Sequence, residues 1–222
     1  SGLAQKGGAV VSHLKLAPTQ EEIGAARVAA GGARLVLGCD LIVAAGTQSV
    51  PTMRTGVTAV VVNRDAATTG AFTRSPDLAL PLDRLEAAIV DAAGSGMVSF
   101  VDAGSLATRL VGDAIGANLL LVGYAWQKGL LPLGREAIER AIEVNGVQVD
   151  FNRQAFLWGR RLAHDPAAVE AVASAGERRR PKLATLEEIV AHRSAFLVSY
   201  QDEALARRYR ERVAKVREAE QR

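Results

Sequence analysis

The sequence predicts an α/β fold: a Rossmann-like, mostly parallel sheet with helices on both faces, followed by a C-terminal helical extension. Three observations carry this. Short β-branched or apolar runs, "VTAVVVN" at 57–63 and "MVSFVDA" at 97–103, alternate with segments of helical period. These runs are apolar almost throughout instead of alternating with polar residues, as a strand covered on both faces requires. After residue 174 the chain becomes densely charged, with apolar residues recurring at helical spacing.

Taken in order, "AVVSHLKL" at 9–16 alternates, with Val10, Ser12, Leu14 and Leu16 on one face and Val11, His13 and Lys15 on the other, which reads as a partly buried strand. "APTQEEIGAARVAAGGA" at 17–33 reads as a polar connection and a short helix ending at Gly31-Gly32. Within "RLVLGCDLIVAAG", residues 40–45 are expected to be a buried strand, while 34–38 stay open between a short helix and a strand. The strand at 57–63 is followed by a Gly-, Pro-, Ser- and Thr-containing loop at 64–77. Leu82 to Ala93 is helical, with Leu82, Leu85, Ile89 and Val90 on one face and Gly94-Ser95-Gly96 as its stop.

Another strand is expected at 97–103, and a helical pattern runs from 104 to 127, where Gly112, Gly116 and Gly123 leave room for neighbouring backbone. Helices at 134–146 and 151–165 follow, the second ending before Pro166. The α/β domain is expected to span residues 1–173. A charged, proline-containing linker then leads into a helical region, 174–222, with Thr185 as N-cap and Glu188 three residues on. Leu205, Tyr209, Val213 and Val216 mark an amphipathic helix that needs a partner surface.

A length of 222 residues with 49% hydrophobic content suits one sizeable core with an appended helical piece. The single cysteine, Cys39, excludes an internal disulfide and any thiolate set for zinc or an iron–sulfur centre, so no metal site is expected; it also points to a reducing compartment, the cytoplasm. The longest apolar stretch, 114–126, is short of the roughly 20 residues a membrane span needs and contains Asn118. The chain opens without Met and with a motif already in progress, as a fragment would. Residues 1–150 carry a net charge of −2 and residues 151–222 carry +5. The arginines of the tail, 178–180 and 207–217, are interleaved with glutamates, which favours a solvated or interdomain helix over a nucleic-acid surface.

Candidate site residues begin with Gln5, Lys6, Gly7 and Gly8. Paired glycines allow a close backbone approach and Lys6 could neutralise a phosphate, but anion-binding loops follow a strand and open a helix, whereas this one precedes a strand. A turn or domain-contact loop is the reading that placement favours. His13 could donate a proton near neutrality or be a packed structural residue. Asp40 and Asp102 could act on a ligand at the carboxyl edge of the sheet, and Asp102 could instead cap the helix that follows, the role its placement favours. In "NRQAFLWGR", Asn152, Phe156, Gly159 and Arg160 form a structural motif: Phe156 supplies apolar surface, Gly159 permits close packing, and Arg160 lies four residues from Phe156. Asn118, flanked by apolar residues, would need hydrogen-bond partners if buried. No residue is assigned as catalytic.

"GLAQKGGAVVSHLKL" at 2–16 is similar to the signature near the start of the gamma domain of the 2-oxoacid:ferredoxin oxidoreductases, most closely the fused indolepyruvate type. "GCDLIVAA", "AVVVN", "GANLLLVGYAWQKGLLPL", "AIERAIEVNG" and "NRQAFLWGR" follow in the family's order, so the resemblance spans roughly residues 2–163. Residues 185–222 resemble the helical region beyond that domain in the fused enzymes. The resemblance implies oxidative decarboxylation of a 2-oxo acid to an acyl-coenzyme A, using thiamine diphosphate with magnesium, coenzyme A and [4Fe-4S] clusters, with electrons passed to ferredoxin. It further implies that thiamine diphosphate sits in other domains or subunits of an oligomeric assembly. On that basis Gln5, Lys6, Gly7 and Gly8 face the thiamine domains. The family's gamma domain opens with a strand and a glycine-rich turn ahead of this loop, and neither is expected here. The alternative is a non-catalytic Rossmann-like module that stabilises a larger assembly; neither a membrane nor a nucleic acid is expected as partner.

Overall fold

Residues Ala59–Asn63 form β2, the central strand, and all five are buried. Its three consecutive valines fit a pleated surface covered on both sides. β1 (Leu35–Gly38) and β3 (Val98–Val101) pair on either side of it, both parallel, with Leu35 opposite Ala59 and Val60 opposite Val98. The computed structural model describes residues 10–65, 81–178 and 185–220.

Because the strands lie in chain order and run parallel, each connection crosses over the sheet, and crossovers of one hand stepping in one direction fall on one face. There α1 (Leu41–Ala44) and α2 (Leu82–Ala93) bring Leu41, Ala44, Ile89 and Ala93 against Val60 and Val62. The opposite face carries Val61 and Val101. It is covered by α3 (Ala103–Val111), α4 (Ala117–Gln127), α6 (Val149–His164) and α7 (Pro166–Arg178), through Leu106, Leu120, Leu121, Leu162 and Val169. Each such side chain removed from water contributes about 1.5–3 kcal/mol.

α4 is apolar on two sides because both are covered, while Asn118 and Gln127 stay exposed. Leu120 and Leu121 join the sheet-side core, while Leu119, Val122 and Trp126 pack on Phe156 and on Ile138 and Ile142 of α5 (Arg135–Asn145). α4 and α6 meet at glycines: a Cβ on Gly123 would overlap the Phe156 carbonyl, and one on Gly159 the Leu120 carbonyl.

The chain divides into two compact units, Ser1–Glu177 and Arg178–Arg222. The second contains α8 (Leu186–Tyr200) and α9 (Glu203–Glu220), which pack on each other. A capping box opens α8: Thr185 Oγ1 accepts from the Glu188 N–H at 3.2 Å, and Glu188 Oε2 accepts from the Thr185 N–H at 3.1 Å. Among the described residues of this unit only Ser194 and Ala206 are buried.

Three local expectations are corrected. The strand near Asp40 is residues 35–38, and 41–44 is instead one turn of helix, because the Asp40 carboxylate accepts from the Val43 N–H at 2.9 Å and caps it. The helix expected within 17–33 reduces to a single 3₁₀ turn at Gln20–Glu22. Val10 to Leu16 does alternate, but it pairs with no strand among the described residues. Its Val10, Leu14 and Leu16 face is the exposed one, with Val11, His13 and Lys15 half-buried.

Candidate functional site

The carboxyl ends of parallel strands, where the chain leaves the sheet for the next helix, are where open α/β sheets bind ligands. Here that edge is organised by Asn63, the last residue of β2 and buried. Its Nδ2 donates to the Cys39 carbonyl at 3.3 Å, just past β1. Its Oδ1 accepts from the Ala103 N–H at 3.0 Å, at the start of α3, and from the Asp65 N–H at 3.3 Å. One amide thus ties together the exits of all three strands.

Asp65 continues the pattern. Its Oδ2 accepts from the Ser105 N–H at 3.2 Å, placing a carboxylate on the first turn of α3, where free N–H groups and the helix dipole favour negative charge. The carboxylate occupies the space beside Gly104 that a Cβ would need. Arg64, between the two, pairs with Glu86 at 2.9 Å and lies 5.3 Å from the Phe100 ring centroid.

Asp102 stands at the N-cap position of α3, yet its side chain makes no cap bond; Asn63 and Asp65 reach across from β2 to do that work. The expected cap role of Asp102 is therefore corrected. Cys39 reaches solvent, but partial burial and then the neighbouring Asp40 charge push its thiol up, so it is a thiol and not a nucleophilic thiolate at neutral pH.

Of the residues singled out from sequence, Gln5, Lys6, Gly7 and Gly8 lie outside the described residues. His13 is half-buried, and its Nδ1 accepts from the Val28 N–H at 3.1 Å, tethering the extended segment. Asn118 is exposed on α4, so no buried amide needs satisfying there. Asn152 Nδ2 donates to the Val147 carbonyl at 2.8 Å across the α5–α6 turn. Phe156 is fully buried, with its ring centroid 6.1 Å from that of Trp126. The Arg160 guanidinium stacks over Trp126 at 4.7 Å, and its Nε donates to Gln127 Oε1 at 3.1 Å.

Sequence reasoning missed Asn63 and Asp65. The signal available to it was an asparagine ending the β-branched run, one residue ahead of an Arg-Asp pair.

The groups at the sheet edge are amide, carboxylate and backbone, and the bonds among them position the loops that leave the strands. Among the described residues no group of three or more His, Cys, Asp or Glu side chains could ligate a metal ion. A [4Fe-4S] cluster takes four thiolates, and the whole chain offers Cys39 alone, so these residues do not fit a cluster. Among the described residues no helix is long and apolar enough to cross a membrane.

The fold defines a class: a Rossmann-like domain with its carboxyl edge tied by Asn63, joined to a helical unit. Residues 1–162 match the family model described as pyruvate ferredoxin/flavodoxin oxidoreductase, and the chain belongs to that family. Its members are multidomain or multisubunit enzymes that generally use thiamine diphosphate and iron–sulfur clusters. Residues 186–222 match a second model, described as a family of unknown function (DUF6537). No curated protein and no solved structure matches the chain.

Proposed function

We propose that this chain is the gamma-type part of a thiamine-diphosphate-dependent 2-oxoacid:ferredoxin oxidoreductase acting on an arylpyruvate of the indolepyruvate kind. The product is an acyl-coenzyme A, and electrons pass to ferredoxin. The family match across residues 1–162 carries this reading. The six motifs running in order from Gly2 to roughly residue 163, with their likeness to the fused indolepyruvate type, support the finer assignment. The single cysteine requires that the clusters be ligated by other domains or subunits. The domain's contribution is then to hold its neighbours in register and to present Gln5, Lys6, Gly7 and Gly8 toward the thiamine domains. There the Lys6 ammonium would give a charge-assisted hydrogen bond to a carboxylate or phosphate.

Specificity is tested by anaerobic dye reduction with the intact enzyme, comparing kcat/KM for indolepyruvate, pyruvate and 2-oxoglutarate, each with and without coenzyme A. The reading expects a preference for indolepyruvate that depends on coenzyme A. A preference for pyruvate or 2-oxoglutarate overturns the arylpyruvate assignment. Lys6→Ala separates the loop's two roles: a raised KM with assembly intact indicates ligand contact, and loss of assembly with normal turnover per intact complex indicates an interdomain loop.

A further inference from the structure

At the far end of the α4–α6 pair the chain forms an open groove of about 540 Å³, lined by Gln127, Leu157, Arg160, Arg161, His164 and Asp165. Some guanidinium groups elsewhere find carboxylates, as Arg64 does with Glu86, Arg135 with Glu139, and Arg140 and Arg153 with Glu143. In the groove, Arg161 and His164 have no ion-pair partner among the described residues. The one carboxylate present, Asp165, accepts from the Ala168 N–H at 3.0 Å as the cap of α7.

Arg160 is held in place before anything binds. Its guanidinium lies over Trp126 at 4.7 Å and near Phe156 at 6.0 Å, and its Nε is fixed by Gln127 Oε1, while its terminal nitrogens have no acceptor among the described residues. A stacked guanidinium loses little further freedom on binding, and its planar fork matches two oxygens of an oxyanion. Arg161 adjoins it in sequence and His164 lies one helical turn further along α6. Complementing the α6 dipole accounts for basic residues at this helix end. It does not account for a guanidinium stacked and hydrogen-bonded in one orientation over a concave floor.

We infer that this groove is a binding site for the phosphate group of a small molecule, with Arg160 as the fixed fork and Arg161 and His164 closing on the same oxyanion. A groove of this volume has room for a small molecule. This goes beyond the oxidoreductase reading and does not depend on it.

The test is residue-mapped phenylglyoxal labelling of the full-length enzyme, with inorganic phosphate or AMP added against chloride at matched ionic strength. Exposed Arg140 serves as the control. Phosphate or AMP should slow labelling of Arg161 by about tenfold relative to Arg140, and Arg160→Lys, which keeps the charge but loses the fork, should weaken that protection. Protection by AMP alone assigns the site to ligand-borne phosphate, and equal protection by both assigns it to the phosphate group itself. Protection no greater than that by chloride, or equal at Arg140, overturns the inference. So does an Arg161 that resists labelling in the assembled enzyme without added phosphate and becomes reactive on dissociation, since an acidic protein surface would then be the occupant.

Discussion

Gly123 on α4 and Gly159 on α6 are reciprocal: each lies against the carbonyl that begins the other helix's contact turn, Gly123 against Phe156 and Gly159 against Leu120. Both carbonyls belong to helix backbone, which cannot yield as a side chain does. Gly159→Ala is therefore expected to push the helices apart and to cost about 2–3 kcal/mol, seen as a lowered midpoint in denaturant. Gly116→Ala is the control. Its Cβ would meet side chains, Val111 and Phe151, at 3.1 and 3.2 Å, and these can shift, so its cost should be smaller. Equal effects would show that the contact is not as close as described.

Asn63 serves backbone groups that leave three strands. Asn63→Ala orphans the buried Ala103 N–H and should cost about 1–3 kcal/mol. A second comparison isolates Asp65. Gly104→Ala displaces its carboxylate from the Ser105 N–H, and Asp65→Ala removes the same bond, so the double variant should lose little more than either single one. Additive losses would contradict a shared cap.

Arg109 on α3 grips Glu170 on α7 with two hydrogen bonds, at 2.7 and 3.0 Å. That pairing, with a further bond from Ser174, outweighs the opposing effect of burial and holds the Glu170 carboxyl below its ordinary value of 4.5. A carboxyl lowered on folding stabilises the protein above its unfolded value, and the contribution is lost as pH falls through the folded one. Glu170 is 55% exposed, so solvent screening keeps the gain under about 1 kcal/mol. Glu170→Gln should thus lower the unfolding midpoint slightly at pH 7, and the difference should shrink as pH falls below the ordinary value of 4.5. A difference that does not shrink on acidification would contradict it.

Cys39 is the only thiol in the chain, and burial together with the Asp40 charge keeps it protonated. Cys39→Ser in the intact enzyme should leave the iron content unchanged. Loss of iron would make Cys39 a cluster ligand and contradict the placing of all clusters outside this chain.

β2 is legible from sequence because three adjacent valines followed by asparagine admit little else. The neighbouring "DLIVAA" is not, because a short apolar run fits a buried strand or a buried helix equally. Asp40 decides it through a hydrogen bond that periodicity does not register. Val10 to Leu16 shows the converse. Its period-2 burial is real, yet no pairing accompanies it among the described residues, since alternation reports which side is covered and not which strand covers it. The sheet-edge network was hidden for a different reason. Asn63 finds its partners 24 residues back at Cys39 and 40 residues ahead at Ala103, separations that only the fold closes. Gly159 and Arg160 were visible as a motif, but the stacking of Arg160 on Trp126 depends on how two helices cross.

The central claim is that this chain is one part of a 2-oxo acid oxidoreductase whose redox centres lie elsewhere in the assembly. Its most direct test is anaerobic viologen reduction by the intact enzyme, shown to hold thiamine diphosphate and iron–sulfur clusters, on addition of a panel of 2-oxo acids. Reduction that requires a 2-oxo acid, whichever one is preferred, is the expected result. No reduction with any 2-oxo acid would contradict the account and leave the chain as a Rossmann-like module that stabilises an assembly of another kind.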